Sequence, residues 1–185
     1  MVKKLLCAAF LFMTLTACGK MRFDPAQVSE KYSVAQIEAE YTVTTHAGFF
    51  TQYRLSCSAA DGISRVTILE PASVAGISAT IEGENAVLQY EDVALDALLP
   101  KRQGYAPADA LHFLLEDLKT AMPESWGMEN DLLVLEYASV FSDNTRSLKR
   151  VFLKPETLEL QGAELYLQDS LILALSMKDA SAPNG

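Results

Sequence analysis

The chain has 185 residues, half of them hydrophobic and 21% charged, with a formal charge of −9 and a pI near 4.7. That apolar content excludes disorder as the main state, and three cysteines without a glycine period exclude a disulfide scaffold or a collagen-like chain. An acidic chain with no local basic cluster repels phosphate, so no nucleic acid is expected as a partner, and the length suits one domain with a sizeable core.

Met1-Val2-Lys3-Lys4 is a short basic segment, and Leu5 to Thr14 is an apolar run too short to span a bilayer permanently. Leu15-Thr16-Ala17-Cys18 follows and resembles the bacterial lipobox, in which two small residues let a peptidase reach the bond before a thiol that accepts a diacylglyceryl group. The resemblance implies a signal peptide over residues 1–17, a lipidated Cys18 and a tether over residues 18–26. A plain secretory signal with a chance cysteine is the alternative. Two or three acyl chains anchor a protein stably where one does not. The expected location is therefore the cell envelope, lipid-anchored on the extracytoplasmic side of a membrane. Cleavage removes Lys3 and Lys4 and no acid, so the mature chain is more acidic still and should be repelled by an anionic bilayer surface. Cys57 is then the one thiol left besides Cys18, which leaves no partner for an intramolecular disulfide.

Residues 27–33 suit one or two helical turns. From Ala35 the pattern alternates: Ile37, Ala39, Tyr41 and Val43 face one way, Glu38, Glu40, Thr42 and Thr44 the other, as in a half-buried strand. A turn at His46-Ala47-Gly48 leads to a strand over Phe49–Ser58, with Phe49, Tyr53, Leu55 and Cys57 on one face. Asp61-Gly62 is a hairpin turn, residues 63–70 a third strand, and Pro71–Gly76 a loop. Strands around Ile77–Ile81 and over Ala86–Glu91 flank a turn at Gly83-Glu84-Asn85. Hairpin-length links make these five strands an antiparallel meander.

The period then changes. Pro107 and Asp109 suit a helix start, Leu111, Leu114, Leu115 and Leu118 form an apolar stripe, and Lys119 and Pro123 mark the end, which predicts a helix over residues 107–121. Trp126-Gly127-Met128 reads as an apolar loop. Large aromatics are mostly buried, which favours Trp126 as a plug for the open end of the sheet; contact with a membrane, a lipid or a protein is the other reading. Leu132–Tyr137 is apolar on both faces. Residues 146–154 form a strand with Arg146, Lys149 and Arg150 exposed, and Pro155-Glu156-Thr157 ends it. Residues 163–168 and 171–178 make a last hairpin around Asp169-Ser170, and the tail over residues 179–185 should fray. The expected class is mainly β (α+β): about nine strands in a curled antiparallel sheet, an incomplete β-barrel closed by one or two helices over residues 27–178.

This order of elements resembles the LolA/LolB-type lipoprotein-carrier fold over roughly residues 30–178. Leu69-Glu70-Pro71 with Gly76 and Ile81-Glu82-Gly83, and the later Leu153-Lys154-Pro155-Glu156-Thr157-Leu158, add to the likeness. Similar lipoproteins serve in germination and envelope processes of spore-forming bacteria. The resemblance implies a cavity between sheet and helix that receives acyl chains. No binding residue of the family matches securely enough to be carried over.

Motifs for hydrolysis, phosphate binding, redox or dinucleotide chemistry are missing from the sequence. Two isolated histidines, His46 and His112, fall short of the three or four ligands a metal site uses. Cys57, on the face of Tyr53 and Leu55, is expected to be a small core hydrophobe and not a nucleophile. The acidic pairs Glu82/Glu84, Glu91/Asp92 and Glu116/Asp117 read as solvated surface. The expectation is a protein with no enzymatic activity, no cofactor and no metal. It would bind an acyl chain, a lipoprotein or another amphipathic ligand through Tyr53, Leu55, Leu111, Leu114, Leu115, Leu118 and Trp126. The alternative is an envelope scaffold that binds and regulates a protein partner such as a cell-wall enzyme. A carrier needs an apolar cavity; a scaffold needs a filled core and an external patch.

Overall fold

The computed structural model describes residues 23–46, 48, 50–99 and 104–178. The signal peptide, Cys18, most of the tether, Phe49 and the tail over residues 179–185 lie outside the described residues.

Strands β1 (Ile37–Thr45), β2 (Thr51–Ala60), β3 (Ile63–Glu70), β4 (Ser78–Glu82), β5 (Asn85–Tyr90) and β6 (Val93–Leu98) form one antiparallel meander. Strands β7 (Ser125–Glu129), β8 (Leu132–Val140), β9 (Arg146–Leu153), β10 (Leu160–Leu167) and β11 (Ser170–Met177) form a second. Pairing of β1 with β11 fuses them into one eleven-stranded sheet, ordered β6-β5-β4-β3-β2-β1-β11-β10-β9-β8-β7. Helix α1 (Ala26–Val34) precedes the sheet, and α2 (Ala110–Thr120) links its two halves.

Tight links set the local order. Asp61-Gly62, Asn130-Asp131 and Gln168-Asp169 each join directly paired strands with positive φ at both positions, as hairpins that follow the strand twist require. The last hairpin thus turns one residue earlier than its sequence suggests. Glu91-Asp92 joins Tyr90 to its partner Val93 and adds β6, a strand the sequence reading passes over. The sheet has eleven strands where about nine are expected, and the first meander six where five are expected.

The long connection decides the shape. Strands β6 and β7 are the two free edges, and the chain must travel from one to the other. Laid flat, eleven strands would hold these edges about 48 Å apart. Helix α2, with 11 residues, is only about 16 Å long. A curled sheet brings the edges within reach and gives α2 a concave face to cover. There Leu111, Leu114, Leu115 and Leu118 pack with Leu55, Val43 and Cys57 from one half, and with Leu133, Leu135, Val151, Leu173 and Leu175 from the other. Among the described residues the edges stay unpaired, so the barrel is incomplete, as expected.

Helix α2 is shorter than predicted. Pro107 sits in a turn, and Asp109 accepts the Ala106 N–H at 3.0 Å before the helix starts at Ala110. The carboxylate stabilises that turn instead of a first helical turn. Helix α1 packs beside α2: Val28 and Tyr32 are buried, the Ser29 hydroxyl donates to the Lys119 carbonyl, and the Tyr32 hydroxyl donates to Leu158 at 2.9 Å. Lys149 corrects the reading of β9. It pairs across the sheet with Tyr137 and lies on the concave face, where its ammonium meets Asp117 of α2, while Arg150 points outward. Gly162 stands at an irregularity between β10 and β9, and a Cβ there would meet the Leu175 carbonyl oxygen at 2.5 Å.

Candidate functional site

Six of the seven predicted ligand-binding side chains come together. Leu55, Leu111, Leu114, Leu115 and Leu118 are buried in one cluster, with half-buried Tyr53 packed on its rim. Alternation on β2 and the i, i+3, i+4, i+7 spacing on α2 place them face to face. A pocket at this interface, between Leu114, Ala110 and the β9–β11 wall, holds about 20 Å³. That suits about one water molecule and is far below the volume of an acyl chain.

Buried polar groups complete the interior. The Ser64 hydroxyl on β3 lies 2.9 Å from His112 Nδ1 on α2, both residues buried. Sequence reasoning misses this pairing, because the two residues are 48 positions apart and meet only when α2 docks. Burial lowers the His112 pKa, so the imidazole is held neutral. A serine beside a neutral imidazole has the donors of a hydrolase pair, but here helix and sheet enclose it and it serves to pin α2 to β3. Burial also raises the Asp109 carboxyl to about 6 and the Cys57 thiol to about 12. Cys57 is therefore a poor nucleophile, as its apolar face suggests. Among the described residues no group of three or more His, Cys, Asp or Glu is placed to hold a metal. His46 stacks edge-on against Phe50 at 5.5 Å.

Val34, Phe50 and Val140 are exposed singly; most of the exposed apolar surface lies at the two ends of the sheet. At the first, α2 stops short of β5 and β6. Leu88, Tyr90, Val93 and Leu95 share the concave face there and are open to solvent, Leu95 to 63%. On the opposite face Val87 and Leu98 are exposed too, Leu98 to 82%. Exposed Glu82, Glu84, Glu91, Asp92 and Asp96 surround them. The signal that finds this region is Val93-Ala94-Leu95-Asp96-Ala97, which alternates weakly after a two-residue turn.

The second end is β7. Trp126 lies in this edge strand and not in a loop, and at 46% exposure it does not plug the sheet. Its partner across the ladder is Leu135, so it shares the concave face, and its ring meets Phe23 edge-on at 5.9 Å. Met128 on the same face and Met122 in the link from α2 are also exposed. Trp126 is thus separate from the other six candidates. On the convex face below, Arg150 pairs with Glu129, with Glu136 at 3.3 Å and with Glu164 at 3.4 Å.

No family model matches the chain, and no curated protein matches it in sequence. Solved structures are similar to it in fold, among them a LolA superfamily protein. A LolA superfamily protein from Nitrosomonas europaea is 13% identical, with a TM-score of 0.46 over 85% of this chain and 92% of its own. A domain assigned to outer membrane lipoprotein sorting in Vibrio parahaemolyticus is 13% identical, with a TM-score of 0.45 over 84% and 87%. A chain in the complex of the CwlD amidase with the GerS lipoprotein from Clostridioides difficile is also 13% identical, with a TM-score of 0.45 over 83% and 88%.

Proposed function

We propose that the protein is a lipid-anchored envelope scaffold without enzymatic activity, binding a protein partner at the β5–β6 end of its sheet. One contrast supports this reading. The pocket between Leu114, Ala110 and the β9–β11 wall holds only about 20 Å³ and the leucines of α2 are buried, while apolar side chains crowd both faces of an edge strand unpaired among the described residues. Edge strands are ordinarily protected by lysine, proline, a bulge or a covering element. Strand β6 reads Val-Ala-Leu-Asp-Ala-Leu, with neither lysine nor proline and Asp96 as its one charge. An extended segment of a partner adds to such an edge through main-chain hydrogen bonds; its side chains on one face then meet Val93 and Leu95, and those on the other meet Leu98. The surrounding carboxylates select a segment flanked by basic residues. Leu15-Thr16-Ala17-Cys18 supports the anchor and the extracytoplasmic location. Acyl binding under α2 would require the helix to lift from a packed core.

The test is photo-crosslinking in cells from Leu95 and Leu98, with Gln52 on the convex face as control. One recurrent envelope protein at the β6 positions, absent at Gln52 and lost on Asp96→Lys, is expected. Crosslinks to acyl lipid alone, or the same spread of abundant proteins at all three positions, would overturn the reading.

A further inference from the structure

We infer that Phe23, Met122, Trp126 and Met128 form a membrane-facing patch that seats the domain on the surface of a zwitterionic bilayer. The inference rests on the anchor at Cys18 and is independent of the partner at β6. Its first support is chain length. The described chain begins at Phe23, five residues after Cys18, and five extended residues span at most about 18 Å. Phe23 is partly buried against the core, so its position is fixed by the fold. The side of the domain that carries Phe23 is therefore the side nearest the acyl chains.

The second support is what surrounds Phe23. Trp126 meets its ring edge-on at 5.9 Å and is half-exposed. Met128 lies on the same face of β7, two residues along, and Met122 is exposed in the segment entering that strand. A tryptophan and two methionines in water at the root of a lipid tether have the composition of an interfacial contact: an amphipathic ring that rests at headgroup depth, with flexible apolar neighbours. A short tether holds such a patch at an effective concentration on the order of millimolar, so insertion too weak to recruit a free protein is populated once the chain is anchored.

Charge chooses the lipid. Exposed Glu124 borders the patch, Glu129 lies on the opposite face and is held by Arg150, Lys20 and Arg22 in the tether offset only two charges, and the chain as a whole stands at −9. Arg150 is already engaged by three carboxylates. An anionic surface is repelled and a neutral one is not. The occupant is therefore a phosphatidylcholine- or phosphatidylethanolamine-like surface. Strand β6, at the opposite edge of the sheet from β7, is left free for a partner.

Trp126 is the sole tryptophan of the chain and reports on itself. Residues 18–185 are coupled through Cys18 to a maleimide lipid in phosphatidylcholine vesicles; buried Cys57 does not compete. This supplies the anchor chemically, so the outcome does not depend on lipidation in the cell. Expected are a blue shift of Trp126 emission on coupling and a loss of intensity with brominated phosphatidylcholine, greatest for bromine near the headgroup end of the chain. Both effects shrink in Met122→Ser/Met128→Ser and in vesicles rich in phosphatidylglycerol. Emission that is unshifted and unquenched on coupled vesicles overturns the inference, as does quenching equal in both lipid compositions. Failure of the anchor itself shows separately, as absence of fatty-acid labelling at Cys18 in cells.

Discussion

Truncation of Leu111 to alanine decides whether the helix–sheet interface is core or cavity. Leu111 is fully buried, and α2 holds it among residues from both halves of the sheet. The substitution removes three carbons, about 2.4 kcal/mol of transfer free energy at ~0.8 kcal/mol each. The hole left behind adds a term that brings such losses to about 3–5 kcal/mol in a packed site. That is a large share of the roughly 5–15 kcal/mol that stabilises a domain, and it lowers the melting temperature of one this size by about 6–20 °C. Leu95→Ala, on the exposed edge, should cost less than about 0.5 kcal/mol. The assay is thermal and denaturant unfolding of the mature chain with Cys18→Ser, with and without a long-chain lysolipid. The packed interface predicts the full penalty and no shift with lipid. A Leu111→Ala loss below about 1 kcal/mol, together with stabilisation of the wild type by lysolipid through mass action, would refute it and restore the acyl-binding role of Leu111, Leu114, Leu115 and Leu118.

Four further outcomes follow from the same structure. Cys57, whose thiol burial pushes up to about 12, should react slowly with a thiol reagent in the native domain and quickly in denaturant; fast native labelling would move it to the other face of β2. Burial raises the Asp109 carboxyl from an ordinary 3.8 to about 6, so the folded state binds the proton more tightly and stability falls as pH rises from about 4 to 6. Asp109→Asn should remove this loss, on the order of 2–3 kcal/mol by pH 7, in unfolding measured across that range. His112 acts with the opposite sign: its pKa is lowered, so stability falls as pH drops below the ordinary imidazole range, and His112→Gln should flatten that limb. Gly162→Ala should cost about 1–3 kcal/mol, since its Cβ would meet the Leu175 carbonyl at 2.5 Å and backbone must shift; an unchanged melting temperature would show that β10 yields there.

Much of this protein follows from local pattern. Alternation over Ile37–Val43 and Tyr53–Cys57, the Asp61-Gly62 turn and the Leu111–Leu118 stripe place strands, hairpins and a core-facing helix from residues a few positions apart. Side chains two apart in a strand, or three and four apart in a helix, share a face whatever the rest of the chain does. Trp126 and β6 escape such reasoning. Both belong to edge strands with one neighbour each, where little burial imposes a pattern and a short apolar run fits loop or strand equally well. Lys149 escapes it for a related reason. On a wet strand lysine marks the outer face, but Asp117, 32 residues earlier, lies across the interface and neutralises it there. The Ser64–His112 contact, the burial of the α2 leucines and the exposed apolar ends of the sheet likewise exist only after β1 pairs with β11 and the edges curl around the helix. Periodicity determines which side chains face inward. How much room they leave, and which apolar residues remain outside, depends on how far one short helix covers an eleven-stranded sheet, and only the closed tertiary structure sets that.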